Sequence, residues 1–313
     1  MRSDDTRPDR PDHDPAQDGP RDAVTVTSAV LREWPLPPPG TGKESRGRTV
    51  VVGGSVRTPG AVLLAAESAL RSGAGKLQVA TTAGTATALG VALPEALVLG
   101  LPQTPGGGID PVCADDEELV DLVGGAHAAL LGVGAVGEQD VRSLLEAVVP
   151  RLDTTVVLDA LGLAPVTADV TFLHHLQGRA VLTPNLSELA IVLDADPEEI
   201  GQDVGSAARE LARRSRCTVA AGGGESWVAA PDGRCWRDAS GGAGLGVSGS
   251  GDVLAGIVTG LCARGADPTQ AAVWGVYLHG RAGDRLASTV GRLGFLAREL
   301  PGQVPGVLAE IEV

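Results

Sequence analysis

The residues best placed to do chemistry stand near the carboxyl end of the chain, where a glycine-rich turn ends in one carboxylate. The segment Gly246-Val247-Ser248-Gly249-Ser250-Gly251-Asp252 leads directly into an apolar helical pattern. Backbone N–H groups in such a turn, at the start of a helix, form a binding site for anions such as phosphate. Asp252 then stands where a transferred phosphoryl group would meet its acceptor, and a carboxylate there can take the proton of an attacking hydroxyl. An aspartate in a first helical turn is also a common cap or dipole partner, so both interpretations stay open.

A second glycine motif competes with the first. Gly132-Val133-Gly134-Ala135-Val136-Gly137 satisfies G-x-G-x-x-G between an apolar strand and a helix-like stretch, and the next strand ends at Asp159. This is the outline of a dinucleotide fingerprint, in which the glycines approach a pyrophosphate and the aspartate binds a ribose hydroxyl. The motif lies in the middle of the sequence, behind at least three strand candidates, and leaves the segment 248–252 unexplained. The sequence therefore favours a phosphoryl-handling enzyme over a Rossmann-type dehydrogenase.

Composition and charge limit the class of protein. The chain has 313 residues, 43% of them hydrophobic but only 2% aromatic, which is enough for one large core built from Ala, Val and Leu. The formal net charge of −14 argues against nucleic acid and membrane surfaces as partners, whereas a nucleotide can still be held by backbone amides. Four scattered cysteines, no long apolar run and no signal peptide predict a soluble, cytoplasmic protein without zinc or disulfides.

The order of strand and helix patterns predicts one α/β domain behind a short tail. Residues 1–22 are mainly Asp, Pro and Arg and are predicted to be disordered, whereas residues 23–313 are predicted to form a single domain with an extended, proline-dense lead-in at 35–40. Helical patterns separate most of the early strands, which predicts a mostly parallel central sheet with helices on both faces. Pro231-Asp232-Gly233 predicts an antiparallel hairpin near the end of the sheet. The predicted strands cover residues 49–52, 77–80, 96–99, 128–131, 155–158, 180–182, 218–221, 227–230 and 234–237, and the predicted helices cover 60–72, 204–215 and much of the chain from 251 onwards.

Several short motifs follow one another in a characteristic order over residues 30–310. Two of them are specific, Gly249-Ser250-Gly251-Asp252-Val253-Leu254-Ala255-Gly256 and Gly275-Val276-Tyr277-Leu278-His279-Gly280 with Ala282-Gly283-Asp284. The others are Gly53-Gly54-Ser55 with Gly60-Ala61, Ala69-Leu70-Arg71-Ser72-Gly73-Ala74-Gly75, Pro94-Glu95-Ala96, Asp159-Ala160 and Thr183-Pro184. Together these segments resemble the ADP-dependent NAD(P)H-hydrate dehydratase family, which is related to ribokinase-like small-molecule kinases.

The resemblance implies a ribokinase-like fold and a cofactor-repair reaction. In that reaction a nucleotide phosphorylates the hydroxyl of NADH or NADPH hydrate, and phosphate then leaves to restore the double bond. The implied cofactors are ADP or ATP with Mg²⁺, and the implied protein is a stand-alone dehydratase, without an epimerase domain, that forms a homo-oligomer.

The resemblance also assigns roles to residues. Asp252 is expected to take the hydroxyl proton and to contact the substrate, while the amides around the turn stabilise the moving phosphoryl group. The substrate is also expected to meet Ala61, Gly134 and Asn185, although either small residue alone is equally well explained by packing. The residues expected at the nucleotide are Gly222, Gly223, Gly249, Ser250 and Gly251.

Several positions depart from the family pattern. The usual Thr-Pro-His-Pro-Gly-Glu is Thr183-Pro184-Asn185-Leu186-Ser187-Glu188, so the histidine expected at the substrate is absent. The usual Lys-Gly-Ala is Ala221-Gly222-Gly223, so a cation near the nucleotide is absent too. Each lost charge-assisted contact is worth about ten- to a hundredfold in affinity or rate. Other altered segments are Gly132-Val133-Gly134, Asp159-Ala160-Leu161-Gly162-Leu163, Gly242-Ala243-Gly244 and Val247-Ser248.

The departures keep other functions open. Asn185-x-x-Glu188 is similar to the pattern by which ribokinase-like kinases organise magnesium and its waters, so Glu188 is an indirect metal candidate; the alternative is that Asn185 caps a helix with Glu188 in its first turn. A small-molecule kinase and a non-catalytic nucleotide-binding protein with a decayed site are therefore alternatives to the dehydratase. His279 is expected to be a packed helix residue rather than a catalytic group.

Overall fold

The structure, a computed structural model, describes residues 23–312, so the predicted disordered tail at 1–22 lies outside the described residues. Ten strands form a single sheet in this part of the protein. They are β1 (Val24–Thr25), β2 (Arg48–Val52), β3 (Lys76–Thr82), β4 (Ala96–Leu101), β5 (Ala128–Leu131), β6 (Thr155–Leu158), β7 (Ala180–Leu182), β8 (Thr218–Ala221), β9 (Ser226–Ala229) and β10 (Cys235–Asp238).

Twelve α-helices lie between or after these strands within residues 23–312, with short 3₁₀ turns among them. They are α1 (Ser28–Glu33), α2 (Pro59–Arg71), α3 (Ala83–Ala92), α4 (Glu117–Gly124), α5 (Glu138–Val148), α6 (Ala164–Ala168), α7 (Leu186–Leu193), α8 (Pro197–Gln202), α9 (Val204–Ser215), α10 (Ser250–Ala263), α11 (Pro268–Thr289) and α12 (Val304–Ile311).

The sheet is parallel except at one strand. Its order is β1-β10-β9-β8-β7-β6-β5-β2-β3-β4, and among these ten strands β9 alone runs against its two neighbours. On one side of β2 lie β3 and then β4, and on its other side lie β5, β6, β7 and β8 in chain order. The order of strands therefore reverses between β2 and β5, and the crevice at the carboxyl ends of such strands is where open α/β sheets bind ligands.

The core has two layers, one on each face of the sheet, because the side chains of a strand point alternately to the two faces. Val51, Leu130 and Val157 face one layer together with α2, α10, α11 and α12. Val50 and Leu131 face the other layer together with α4, α5, α7 and α9. Because successive strand residues point to opposite faces, the continuous apolar runs of the inner strands serve both layers at once.

Helices α2 and α10 pack backbone against backbone. Every residue of α10 from Val253 to Ala263 is buried. A Cβ at Gly256 would collide with the carbonyl oxygen of Ala65, and a Cβ at Gly260 would collide with that of Ala69. The two glycines therefore set the distance between the helices, and this fixes where α10 begins relative to α2.

The α/β class and the mostly parallel sheet predicted from the sequence are confirmed, with local differences. The predicted strands at 128–131, 155–158, 180–182 and 218–221 coincide with β5 to β8, whereas the two hairpin strands are each displaced by one residue. Strand β1 and helix α1 were not expected ahead of the proline-dense lead-in. The indole of Trp34 stacks on Trp236 with ring centroids 5.7 Å apart, and this contact holds the lead-in against β10.

Two further observations concern the whole described part of the protein. Within residues 23–312, no helix has both the length and the apolar composition needed to cross a membrane. All four cysteines are buried and unpaired.

Replacing Gly256 by alanine tests the close packing of α2 and α10. We expect Gly256→Ala to lower the free energy of unfolding by about 1–3 kcal/mol, because the added methyl group meets rigid backbone rather than a movable side chain. Gly201→Ala in α8 is the control, since its Cβ would meet nothing within 4 Å and should be neutral or stabilising. Urea unfolding of both variants measures the difference, and equal stabilities would contradict this account of the helix contact.

Candidate active site

The glycine-rich turn forms the start of α10, as the sequence predicts. Gly249 precedes the first helical residue with φ +92°, a conformation that favours glycine, and a Cβ there would lie 2.5 Å from Leu64 Cδ1 of α2. In the described part of the protein, no side chain caps this helix. The Ser250 N–H donates to the Val247 carbonyl oxygen at 3.1 Å, whereas the N–H groups of Gly251 and Asp252 are available to an anion.

A cavity of about 410 Å³ opens in front of this turn. Five residues predicted to contact nucleotide or substrate line it, namely Asn185, Gly222, Gly223, Ser250 and Gly251. The remaining lining residues are Gly224, Glu225, Ser226, Ser240, Gly241, Gly242, Ala243, Leu245, Gly246, Val247, Leu254 and His279. None of these is Lys or Arg, so the cavity offers backbone and hydroxyl donors rather than cationic side chains.

The two small residues predicted at the substrate lie together at the strand-order reversal. Gly134 follows β5 with φ +61°, and a Cβ there would stand 2.6 Å from Ala61 Cβ and 2.7 Å from the carbonyl oxygen of Thr58. The Thr58 hydroxyl donates to the carbonyl oxygen of Gly134 at 2.6 Å. Close packing accounts for the small size of both residues, yet both stay half-buried, so one side of the pair remains open. They do not line the cavity in front of α10.

Three carboxylates influence one another between these two regions. Asp252, in the first turn of α10, is half-buried, and burial raises its pKa to about 6, with a further contribution from the negative charge of Glu188. Burial also raises the pKa of Glu188. Burial raises the pKa of Asp159 to about 7, with repulsion from Glu188 and Asp252 acting in the same direction. Carboxylates with raised pKa values in a cleft are candidates for proton transfer.

Asn185 and Glu188 form a helix cap, which was the structural alternative for this motif. The backbone N–H of Glu188 donates to Asn185 Oδ1 at 3.0 Å, and the backbone N–H of Asn185 donates to Glu188 Oε2 at 2.9 Å. This reciprocal pair is a capping box at the start of α7. It fixes the Glu188 carboxylate near Asp252, so capping does not exclude a role in the site.

Asp159 is a site residue that the family role assignments omitted. It directly follows β6, is 6% exposed, and accepts a hydrogen bond from the Thr183 hydroxyl at 2.9 Å. The following residue, Ala160, has φ +50°, an unusual conformation for a non-glycine residue and one that clusters at functional sites. The signal in the sequence was an aspartate at the end of a buried parallel strand, adjacent to the end of the next strand.

The opposite wall of the cavity is held by a second polar group, centred on Asp284, which stands in a family motif but was assigned no role from the sequence. The backbone N–H of Gly241 donates to Asp284 Oδ1 at 3.1 Å, and Arg281 pairs with Asp284 Oδ2 at 2.8 Å. Ser240 donates to the buried carboxylate of Asp238 at 2.6 Å. Helix α11 thus anchors the loop that follows β10.

The G-x-G-x-x-G motif after β5 does not form a dinucleotide fingerprint. A Cβ at Gly132 would collide with the backbone of Gly162, and Gly134 packs on Ala61, so these glycines accommodate protein rather than a pyrophosphate. Asp159 is bonded to Thr183 inside the core and presents no carboxylate to a ribose at the surface. The fingerprint interpretation is wrong, because close backbone packing produced the same glycine spacing.

The fold and the site together define a ribokinase-like α/β protein, with a glycine-rich turn at the start of a buried helix and a carboxylate in the first turn of that helix. The family model described as NAD(P)H-hydrate dehydratase matches residues 49–305. The chain belongs to this family.

Individual relatives agree with the family. The chain is 44% identical to an ADP-dependent (S)-NAD(P)H-hydrate dehydratase of Xanthomonas campestris, over 93% of this chain and 97% of that protein. It is 33% identical to a bifunctional NAD(P)H-hydrate repair enzyme of Moorella thermoacetica, over 85% of this chain but only 50% of that protein. A crystal structure of ADP/ATP-dependent NAD(P)H-hydrate dehydratase from Bacillus subtilis, co-crystallised with ATP and Mg²⁺, superimposes with a TM-score of 0.77 at 25% identity, covering 92% of this chain and 99% of that one.

The buried carboxylate of Asp159 should make stability depend on pH. Its pKa is about 7 when folded and about 4 when unfolded, so the folded state binds more protons between these values and stability falls as pH rises through this range. We expect Asp159→Asn to flatten the decline between pH 5 and 8 and to be at least as stable as wild type at pH 8, because Asn can still accept from Thr183.

Thermal unfolding across this pH range measures the effect. The exposed Asp121→Asn substitution in α4 is the control and should keep the wild-type profile. An Asp159→Asn profile that runs parallel to the wild type would contradict the assignment.

Proposed function

We propose that this protein restores NADH or NADPH from the hydrated cofactor in a reaction that consumes an adenine nucleotide. The proposal rests on one observation in particular, the position of Asp252 in the uncapped first turn of α10, two residues after the Ser250 that lines the cavity. Membership of the NAD(P)H-hydrate dehydratase family supports the same reaction.

The nucleotide fits the cavity in front of α10. Gly222, Gly223, Gly249, Ser250 and Gly251 would hold it. The N–H groups of Gly222 and Ser250 already donate to the carbonyl oxygens of Pro184 and Val247, so the donors would be the other three backbone N–H groups and the Ser250 hydroxyl. No Cβ at Gly222 or Gly251 would meet anything within 4 Å, so both positions leave room for a ligand to approach the backbone. Ala221 stands where the family has a lysine, and the residues that line the cavity supply only neutral donors in its place. We therefore expect weaker nucleotide binding than a site with the lysine would give.

Magnesium fits this site only together with phosphate oxygens. Among residues 23–312 there is no group of three or more His, Cys, Asp and Glu arranged to hold a metal ion. Mg²⁺ commonly keeps several waters and uses one or two carboxylates beside substrate phosphates. When bound, it would neutralise phosphate charge, and Glu188 would contact it indirectly through water.

Asp252 carries the proton step. Its carboxylate accepts the proton of the substrate hydroxyl as that oxygen attacks the phosphoryl group, while the free N–H groups of the turn, those of Gly249 and Gly251, stabilise the developing negative charge. The phosphate then leaves with the C–O bonding electrons and the neighbouring ring carbon loses a proton to solvent, which restores the ring double bond. A raised pKa suits this role, since a base with a pKa of about 6 remains ionised at neutral pH yet binds a proton more readily than an ordinary carboxylate.

The hydrated ring would lie between Asp252 and the pair Ala61 and Gly134. Gly249 packs on Leu64, one helical turn beyond Ala61, so the turn of α10 and the strand-order reversal are neighbours along α2. Asn185 occupies the place of the family histidine and would contact the substrate from the start of α7.

The homo-oligomeric state and the cytoplasmic location stay predictions.

Recovery of reduced nicotinamide tests the proposal directly. With hydrate and either ADP or ATP, the wild-type protein should restore the absorbance of the reduced ring, and the comparison of ADP with ATP identifies the preferred nucleotide. We expect Asp252→Asn to lower kcat by about a hundred- to ten-thousandfold, because it removes the base without changing the shape of the side chain.

Asp121→Asn in α4 is the matched control and should retain activity. Equal rates for Asp252→Asn and wild type would contradict the assignment of the base. A stable phosphorylated product that accumulates without recovered NADH would instead identify a small-molecule kinase, and ADP binding without any turnover would identify a nucleotide-binding protein with a decayed site.

The pH dependence of the reaction tests the coupling of Asp252 to Glu188. Because the ionised carboxylate is the base, kcat/KM should rise with pH through about 6 and level off above it. Glu188→Gln removes a negative neighbour and keeps a residue able to form the capping box, so the rising limb should move to lower pH. Glu118→Gln, on the exposed first turn of α4, should leave the limb in place. An unmoved limb in Glu188→Gln would show that the two carboxylates are not coupled.

A further inference from the structure

One polar pair in the cavity has no role in the proton step. His279 Nε2 of α11 lies 2.9 Å from Ser250 Oγ at the start of α10. Both side chains are nearly buried, with His279 8% and Ser250 6% exposed, and both line the cavity. His279 is thus a packed helix residue, as expected, but its ring is directed at the hydroxyl of the anion-binding turn.

The imidazole is neutral near physiological pH. Burial lowers the pKa of His279 to about 4, against a smaller opposing effect from hydrogen bonding to the Ser250 backbone. A neutral ring has one nitrogen that donates and one that accepts, and its partners decide which is which. Ser250 likewise has a single hydrogen to donate, so the direction of this hydrogen bond determines what the hydroxyl offers to the cavity.

Phosphate oxygens determine that direction. Ionised phosphate only accepts hydrogen bonds, so a serine that binds it must donate its hydrogen to it and can then only accept from other partners. His279 Nε2 is the side-chain atom that meets Ser250 Oγ. We propose that His279 is a positioning residue for the nucleotide, whose Nε2–H donates to Ser250 Oγ and so directs the Ser250 hydrogen onto a phosphate oxygen.

The proposal rests on the proposed function, since it takes a nucleotide phosphate as the ligand of the cavity. It gives the pair a particular importance in this protein, because the lining residues include no Lys or Arg. Where no cationic side chain contributes, each correctly oriented neutral donor of the protein accounts for a larger part of phosphate recognition. The buried residues of α11 are otherwise largely apolar, so a leucine could fill the position of His279 if packing were its only role. A leucine, however, could not donate a hydrogen bond to Ser250.

A double-mutant cycle tests the proposal with ADP as the calorimetric probe. We expect Ser250→Ala to weaken ADP binding by about ten- to a hundredfold and His279→Leu by about three- to tenfold. In the double variant His279→Leu should add nothing to the effect of Ser250→Ala, because the histidine acts through that hydroxyl. KM for ATP should rise more in Ser250→Ala than in His279→Leu, while KM for the hydrate should stay within about twofold of wild type in both.

Conservative variants separate positioning from packing. His279→Gln can place an amide N–H near the position of Nε2 and should restore most of the ADP affinity, whereas His279→Asn is too short and should not. This comparison also stands in for His279→Leu if that variant fails to fold. Thr259→Val removes a buried hydroxyl within α10 that donates to the Ala255 carbonyl oxygen, so it should lower stability without changing ADP affinity.

Three results would overturn the inference. They are additive effects of the two substitutions on ADP binding, unchanged ADP affinity in His279→Leu, and an Nδ1–H tautomer of His279 in the ADP complex, read from ¹⁵N chemical shifts. If wild type restores NADH from hydrate and any of these is found, the inference fails while the proposed function stands. If wild type binds neither ADP nor ATP, both fail.

Discussion

The site depends on the contact between α2 and α10, where two glycines let the backbones of the helices meet. Gly256 and Gly260 face the carbonyl groups of Ala65 and Ala69, which brings the helix backbones as close as sterics permit. Interfaces packed this tightly resist sliding, because any displacement meets rigid backbone. The start of α10 is therefore fixed against α2, and with it the distance from the anion-binding turn to Ala61 at the strand-order reversal. A larger residue at either glycine would move the turn as well as loosen the core.

The same compactness explains why carboxylates near the site hold protons unusually well. Asp159, Glu188 and Asp252 come from the end of β6, the start of α7 and the start of α10, three places that a mostly parallel sheet brings to one edge. Burial is the largest cause of the raised pKa of each, and mutual repulsion adds to it for Asp159 and Asp252. Such an arrangement costs stability at neutral pH, and strain of this kind is commonly retained where it serves function.

Much of the fold could be predicted from the sequence, because each inner strand is a short apolar run bounded by helical patterns. Strands β5 to β8 could be placed to the residue for that reason. Strand β1 could not, since Val24 and Thr25 carry no periodic signal and their pairing with β10 is decided by the distant stacking of Trp34 on Trp236. In the site, Asp252 and its glycines were evident as a contiguous motif. Asp159, Asp284 and His279 stood in motifs too, but their hydrogen bonds to Thr183, Gly241 and Ser250 were not evident, because these bonds join segments that are far apart in sequence.

The protein carries a net charge of −14, yet the nucleotide proposed for its cavity is a polyanion. Long-range repulsion from the protein surface is screened within about 8–10 Å at physiological ionic strength. The charge that a bound ligand meets is therefore that of the cavity lining. This lining consists mainly of glycine backbone, hydroxyls and the first turn of α10, and its Glu225 carboxylate is paired with Arg237 at 3.6 Å. Recognition by oriented neutral donors is less sensitive to salt than recognition by lysine would be, but it depends more on each donor pointing in the right direction. The absence of the family lysine thus increases the importance of the hydrogen bonds that fix the walls of the cavity. These bonds join Gly241 to Asp284 on one wall and His279 to Ser250 on the other.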